Sequence, residues 1–427
     1  MDSFTSVAGI QPDFQDIAYR YQAVRNQTIN LCDPLQAEDY VVQPVVDVSP
    51  PKWHLGHTTW FFEAFVLEPH LPGYEVFDAN YSFLFNSYYD SVGERVLRHR
   101  RGLLSRPPVE EVIKYRRYVD EHMAKFLAAN GHNAAGVDYL IEIGMHHEQQ
   151  HQELLVTDVK YILGHNPLYP AYLPQEGRNE SARPASWLPI EAGVYTIGHN
   201  GKGFAYDNEL GQHKVYLHEY AVQDRLVTVG EYIEFLNAGG YADFRHWLSE
   251  AWMWINDNKI EAPKYWVKHD GAWHLYTLQG LRPLNYDEPL THLSYYEADA
   301  YARWRGLRLP TEFEWEVACR QYAPTIHPQA QFTDSGLMHP QAPAEGDYQF
   351  YGTCWEWTAS AYLPYPFFEQ AEGALGEYNG KFMVNQMVLR GGSVATPRNH
   401  IRPTYRNFFH PNLQWQFSGL RLAQTIR

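Results

Sequence analysis

The apolar and polar positions before residue 165 predict four helices. The first runs from about Asp13 to Cys32. The second opens at SPPKW, where Ser49 can cap and Pro50 or Pro51 suits a first turn, and continues through HLGHTTWFFEAFVL. The third follows SRPP at Ser105 and runs through VEEVIKYRRYVDEHMAKFLAAN to Gly131. The fourth spans Val137 to Leu163, with Asp138 as its expected N-cap and Gly164 as its stop. Its inward stripe reads Leu140, Ile143, His147, Gln150/His151, Leu154, Asp158. Two imidazoles therefore lie one turn apart on a face that should be apolar. A long connection between the second and third helices suits a four-helix bundle, a fold that places metals between facing helices.

The pattern then changes. LYPAYLPQEGRNESARPASW, residues 168–187, is Pro-rich and polar without a period, and reads as a linker or wrapping loop. Beyond it, GVYTIG, HKVYLHEYAV and MVLRGGSVA are short strand-like runs. VTVGEYIEFLNAG and SYYEADAYARWRG are short helices. The expected class is α+β and multidomain: a helical bundle over residues 1–167, then an irregular α+β domain over residues 188–427. A chain of 427 residues exceeds one ordinary hydrophobic core, which agrees with that division.

Charge and composition narrow the function. With 34 Lys and Arg against 50 Asp and Glu, the net charge is −16, which argues against nucleic acid and against anionic membranes as partners. Aromatic residues reach 15%, enough for aromatic-lined pockets. The three cysteines, Cys32, Cys319 and Cys354, show no zinc spacing and no disulfide framework. The start MDSFTSVAGIQPDFQD lacks a basic n-region and an apolar h-region, and no apolar run approaches a membrane span, so a cytoplasmic protein is expected. Nothing in the sequence speaks to oligomeric state.

Candidate chemistry centres on MHHEQQHQELL. A single inward histidine is usually satisfied by a core hydrogen bond. Here His146, His147 and His151 share one window with Gln149, Gln150 and Glu153, and burying so many polar groups without a common partner is unfavourable. A metal would satisfy two imidazoles at once. WHLGHTTWFFE on the second helix offers His54 and His57, of which His57 shares the apolar face of Trp53 and Phe61. Three neutral imidazoles suit Fe, Zn, Cu or Ni and leave positions open for catalysis. Glu153 is then expected to accept from an imidazole N–H. His54 and His146 are left behind the ligands or on the surface.

PKWHLGHTTWFFE and HHEQQHQEL closely resemble the DinB-like iron domain of the sulfoxide synthases of ergothioneine biosynthesis, the EgtB family. LRLPTEFEWEVACR, CWEWTAS, EYNGKFMVNQMVLRGGSVATPRNHIRPTYRNFF and WQFSGLRLA resemble that family's second domain, which is itself similar to formylglycine-generating enzymes with a C-type-lectin-like fold. The resemblance implies Fe(II) held by His57, His147 and His151. It implies an O2-dependent reaction joining a thiol to imidazole C2 of hercynine (N-alpha-trimethylhistidine), the sulfur becoming a sulfoxide. A cytoplasmic protein with hercynine, cysteine or gamma-glutamylcysteine, and O2 as its partners is the corresponding expectation.

The resemblance also carries site residues. Gln150 matches a glutamine that binds the hercynine imidazole. Asn407 and Phe408 in TYRNFF match a segment near the trimethylammonium and carboxylate, and aromatic faces suit a quaternary ammonium. Trp415 and Phe417 in WQFSGLRLA join them as substrate-binding candidates. FNSYYDSVGERVLRHRRGLLSRP places Tyr88 and Tyr89 ahead of Arg95, Arg98, Arg100 and Arg101. By resemblance this loop contacts the sulfur donor, with Arg95 or Arg98 as a bidentate partner for its carboxylate. Tyr88 or Tyr89 would supply a hydrogen bond or proton at the reacting oxygen. Relatives that use gamma-glutamylcysteine carry the catalytic tyrosine in the second domain, so NSYYD points to free cysteine. GTCWEWT departs from the usual GNVWEWT, and Cys354 is expected to be a buried small residue. No cysteine follows it, which weighs against formylglycine-generating activity. Three other readings keep the same bundle: a zinc-dependent thiol transferase, an ovothiol-type relative and a selenium-donor relative. Ovothiol-type proteins usually append a methyltransferase domain, which this sequence does not show.

Overall fold

Pro51 lacks the N–H that a first helical turn leaves unpaired, and the second helix begins there. The computed structural model describes residues 17–87, 93–129, 131, 136–173, 181–370 and 379–426. Its bundle consists of α1 (Ile17–Asn30), α2 (Pro51–Phe62), α3 (Val109–Ala128) and α4 (Val137–Gly164). Two expected caps differ. Ser49 does not cap α2: its hydroxyl accepts from Arg101 Nη1 at 2.9 Å, and its backbone N–H donates to Asp158 Oδ2 at 2.8 Å. Gly136, in the left-handed region at φ +81°, precedes α4, and Asp138 sits in the first turn, where its charge suits the helix dipole.

Trp60, Phe61 and Phe62 of α2 pack with Val112, Tyr115, Val119 and Met123 of α3 and with Ile141 of α4, all buried. Two glycines let the helices close in. A Cβ at Gly144 would stand 2.6 Å from Phe62, and one at Gly56 would stand 2.2 Å from Phe85. Behind the aromatic layer lies a buried ion cluster. Glu148 on α4 receives Arg25 Nη1 at 2.8 Å, Thr28 Oγ1 at 2.5 Å and Arg116 Nη2. Burial alone would raise this carboxyl, but Arg116 and Arg25 outweigh it and hold it at about 2.

The second unit is built from short sheets. β1 (Trp187–Ile190) and β7 (Ala423–Thr425) flank β2 (Tyr220–Gln223), both antiparallel to it. A four-stranded sheet runs in the order β5 (Asn407–Phe409), β4 (Met387–Arg390), β3 (Trp355–Ala361), β6 (Ser418–Gly419). Glu356 pairs with Arg390 and Trp357 with Leu389 across β3 and β4, and Ser418 lies beside Trp355 in parallel register. Helices Tyr295–Trp304 and Glu312–Tyr322 support this sheet, each capped by a reciprocal box, Ser294 with Glu297 and Thr311 with Glu314. Cys354 is buried as expected, with its thiol pushed up to about 12 by burial. The class is therefore α+β, a helical bundle followed by a strand-rich unit. Among the described residues no helix is long and apolar enough to cross a membrane.

α4 touches both units. On one side it carries Glu148 into the bundle. On the other, Gln149 donates to Asn399 at 2.6 Å, Gln150 donates to the Tyr405 hydroxyl at 2.8 Å, and His146 Nδ1 lies 2.9 Å from His400 Nδ1. Glu148→Ala should destabilise the chain by about 3–5 kcal/mol, because it leaves the buried Arg116 guanidinium without a carboxylate and Arg25 with Asp120 alone. Urea unfolding would measure the loss. As pH falls the unfolded chain takes up this proton first. The Glu148 contribution is therefore present above pH 4.5 and is lost as pH falls toward 2.

Candidate metal centre

α2 and α4 cross where both carry histidines, and the crossing brings His57, His147 and His151 together. One ring nitrogen from each lies within 4.8 Å of the others. His57 Nε2 and His147 Nε2 are 3.1 Å apart. Two nitrogens bound about 2.1 Å from one ion on perpendicular axes would stand about 3 Å apart, so the spacing fits a shared metal. His57 and His147 are buried, and His151 is partly open to a cavity. Burial, and then the His147 ring, pushes His57 well below the usual histidine range, and burial takes His147 down to about 4. His151 is lowered well below that range by burial and then by the His147, His57 and His54 rings. All three rings are neutral near pH 7, the form that ligates a metal.

What surrounds the triad fixes it. His57 Nδ1 lies 2.6 Å from the Phe85 carbonyl and must donate to it, which leaves its Nε2 lone pair inward. Trp53 stacks on the His57 ring at 4.5 Å and 14°, and the Arg101 guanidinium lies 3.3 Å from the Trp53 ring centroid on the same stack. His147 Nδ1 is buried and finds no partner among the described residues. Neither His54 nor His146 is on the surface. His54 touches His151 and Asp158, while His146 stacks on Phe204 at 3.8 Å. Glu153 does not accept from an imidazole. Its oxygens take Trp355 Nε1 at 2.5 Å, Ser393 Oγ at 2.8 Å and Thr396 Oγ1 at 2.8 Å, all from the second unit. The helical turn that puts His147 and His151 toward α2 aims Glu153 away from them.

A cavity of about 260 Å³ opens from the triad toward the second unit. Gln150, Asn407, Phe408 and Trp415 line it, together with Arg98 and Arg101. Asn407 Oδ1 accepts the Phe408 N–H at 2.9 Å, so its amide donors are left to face elsewhere. Phe408 stacks on Tyr362 at 4.0 Å and near Phe382, and Trp415 meets Phe409 edge-on at 5.6 Å. The buried Trp415 Nε1 has no partner among the described residues. Two sequence candidates lie elsewhere. Phe417 packs against His292 and the Lys160 ammonium, each 4.7 Å away, and Arg95 is not part of the cavity wall. Tyr88 and Tyr89 lie outside the described residues. Tyr405, Trp53, Phe382 and Phe409 were not singled out. Tyr405 and Phe409 both belong to the TYRNFF run, in which the resemblance marks only Asn407 and Phe408.

The sulfatase-modifying factor enzyme 1-like domain matches residues 174–426, and the DinB superfamily matches residues 20–155. The chain is similar to the hercynine oxygenase of Mycolicibacterium thermoresistibile, 28% identical over 97% of this chain and 96% of that protein. It is 31% identical to the hercynine oxygenase of Mycolicibacterium smegmatis over 66% of this chain and 70% of that protein. The ergothioneine biosynthesis protein 1 of Schizosaccharomyces pombe is 29% identical over 52% of this chain and 28% of its own length.

The triad predicts a clear result for metal loading. Replacing His57, His147 or His151 by Ala should remove most of the metal that the full chain retains. His54→Ala should weaken binding without abolishing it. Metal analysis after anaerobic Fe(II) loading and desalting reads the difference. Full retention in His57→Ala would reject the set.

Proposed function

We propose that this chain, which belongs to the hercynine oxygenase family of ergothioneine biosynthesis, joins the sulfur of cysteine to imidazole C2 of hercynine with O2 as oxidant, at Fe(II) held by His57, His147 and His151. The observation that carries the reading is the neutral three-histidine cluster at the mouth of an aromatic-rimmed cavity. The balance requires four electrons. Two come from replacing C–H and S–H by a C–S bond, and two from taking the sulfur to the sulfoxide. One oxygen atom stays on sulfur and the other leaves as water with both protons. Iron, when bound, would supply the redox chemistry that lets O2 react with closed-shell substrates.

The chain's own residues bind and orient. Gln150 spends an amide N–H on Tyr405, which leaves its carbonyl oxygen to accept an imidazole N–H of hercynine beside His151. Phe408 and Trp415 offer faces for the trimethylammonium, at roughly 0.5–2 kcal/mol for a cation over a ring. Asn407 directs amide donors at the hercynine carboxylate. On the bundle side, Arg98 and Arg101 line the cavity, and we assign the cysteine carboxylate to this pair. A charge-assisted hydrogen bond there contributes about 1.5–3 kcal/mol. Arg101 reaches closest to the triad through its stack on Trp53. Tyr88 or Tyr89, from the NSYYD loop, is proposed to hold or deliver a proton at the reacting oxygen.

The test is anaerobic Fe(II) loading, then hercynine, equal cysteine and gamma-glutamylcysteine, and O2, with the product read by mass. The cysteine-derived sulfoxide should dominate. Arg101→Lys and Arg98→Lys should raise the cysteine KM by about tenfold, the loss of one charge-assisted contact. Tyr88→Phe or Tyr89→Phe should lower sulfoxide and raise simple thiol oxidation. A dominant dipeptide product would reject the donor. Turnover of a zinc-loaded chain without O2 uptake would favour thiol transfer instead.

A further inference from the structure

His151 is the triad member whose outer ring nitrogen meets another histidine. Its Nδ1 lies 2.8 Å from Nδ1 of His54, and His54 Nε2 lies 3.1 Å from Asp158 Oδ2. Asp158 sits on α4 two turns beyond His151, so α4 carries both ends of the chain of contacts and α2 supplies its middle.

The proton positions follow in order. Asp158 Oδ2 already accepts the backbone N–H of Ser49 at 2.8 Å, so this oxygen is an acceptor. His54 must therefore carry its proton on Nε2. A neutral imidazole with Nε2–H has its lone pair on Nδ1. That lone pair faces His151 Nδ1, which must then hold its own proton and donate it. His151 is left with its lone pair on Nε2. The opposite polarity would set a His54 lone pair against the Asp158 oxygen and would place the His151 proton on the nitrogen needed for a metal.

We propose that Asp158 and His54 form a relay that fixes His151 in its Nδ1–H form before any metal arrives. The proposal rests on the three-histidine reading. It makes His54 and Asp158 positioning residues, which act on the metal only through His151. Carboxylate–histidine pairs of this kind orient a ligand ring. Here one imidazole is interposed, because α2 stands between the carboxylate and the ligand. The three ligands are then set differently: His57 by a backbone carbonyl, His151 by the relay, and His147 by nothing among the described residues.

Two measurements on the full chain test this. The first uses metal-free protein with 15N-labelled histidine, with His151→Gln to assign the signal. His151 should appear protonated at Nδ1 in the wild type. A signal from the Nε2–H form overturns the relay with no further variant. The second is the dissociation constant for Fe(II), measured anaerobically against a competing chelator. His54→Phe keeps the ring and removes both nitrogens, and should weaken Fe(II) binding by about 10- to 100-fold. His54→Gln keeps a donor toward Asp158 and an acceptor toward His151, and should recover most of that loss. Equal Fe(II) affinity in wild type and His54→Phe overturns the relay while leaving the triad standing, provided His151→Ala still loses iron. Retention of iron in His151→Ala would instead remove the triad reading and the relay with it.

Discussion

Polar groups taken out of water must find partners, and α4 concentrates that demand. From His146 to Glu153 nearly every side chain is buried and polar. Each is met from a different direction. Glu148 turns into the bundle to Arg25 and Arg116, and His147 and His151 turn toward α2. Gln149, Gln150 and Glu153 turn toward the second unit. A helix that must satisfy three neighbours at once cannot slide or rotate without stranding a buried donor or acceptor. The register of the two units on either side follows from that constraint, and so does the placement of the cavity between them.

Two carboxylates five positions apart show how far the setting decides the chemistry. Glu148 and Glu153 are both buried on the same helix. Glu148 meets two guanidinium groups and is held at about 2. Burial raises the Glu153 carboxyl, and hydrogen bonds from Ser393, Trp355 and Thr396 offset only part of that effect. The triad is kept neutral by the same kind of burial. A neutral ligand set leaves the charge of a bound cation uncompensated, which favours an anionic partner such as a thiolate in the adjoining cavity.

The fold was legible where periodicity speaks, whereas the caps expected at Ser49 and Asp138 fall at Pro50 and Gly136. The i, i+3, i+4 stripe of α4 identified His147 and His151, and it even included Asp158. A stripe gives direction, however, and not the partner at its end. The use of Asp158 could not be read, because it depends on how α2 crosses α4, which is a tertiary matter. Glu153 failed for the same reason: HxxxHxE suggests proximity to the ring, but the side chain points to Trp355 in the second unit. The apolar face of α2 points to His57, whereas the sequence leaves His54 either behind the ligands or on the surface, and its two buried contacts place it behind His151. Arginine counting could not separate Arg98 and Arg101 from Arg95, since a short irregular loop has no period from which a facing direction follows.

That the metal lies on the bundle and the trimethylammonium end of hercynine on the second unit, facing each other across one cavity, is what the three-histidine site and the aromatic rim imply together. It is tested most directly by loading the metal-free full chain with Mn(II), with a Zn(II)-loaded chain as the diamagnetic control, and measuring relaxation of the N-methyl protons of bound hercynine. Mn(II) should give strong relaxation enhancement that disappears in His147→Ala. Hercynine that binds the Mn(II)-loaded chain yet relaxes as it does on the Zn(II)-loaded chain would contradict it.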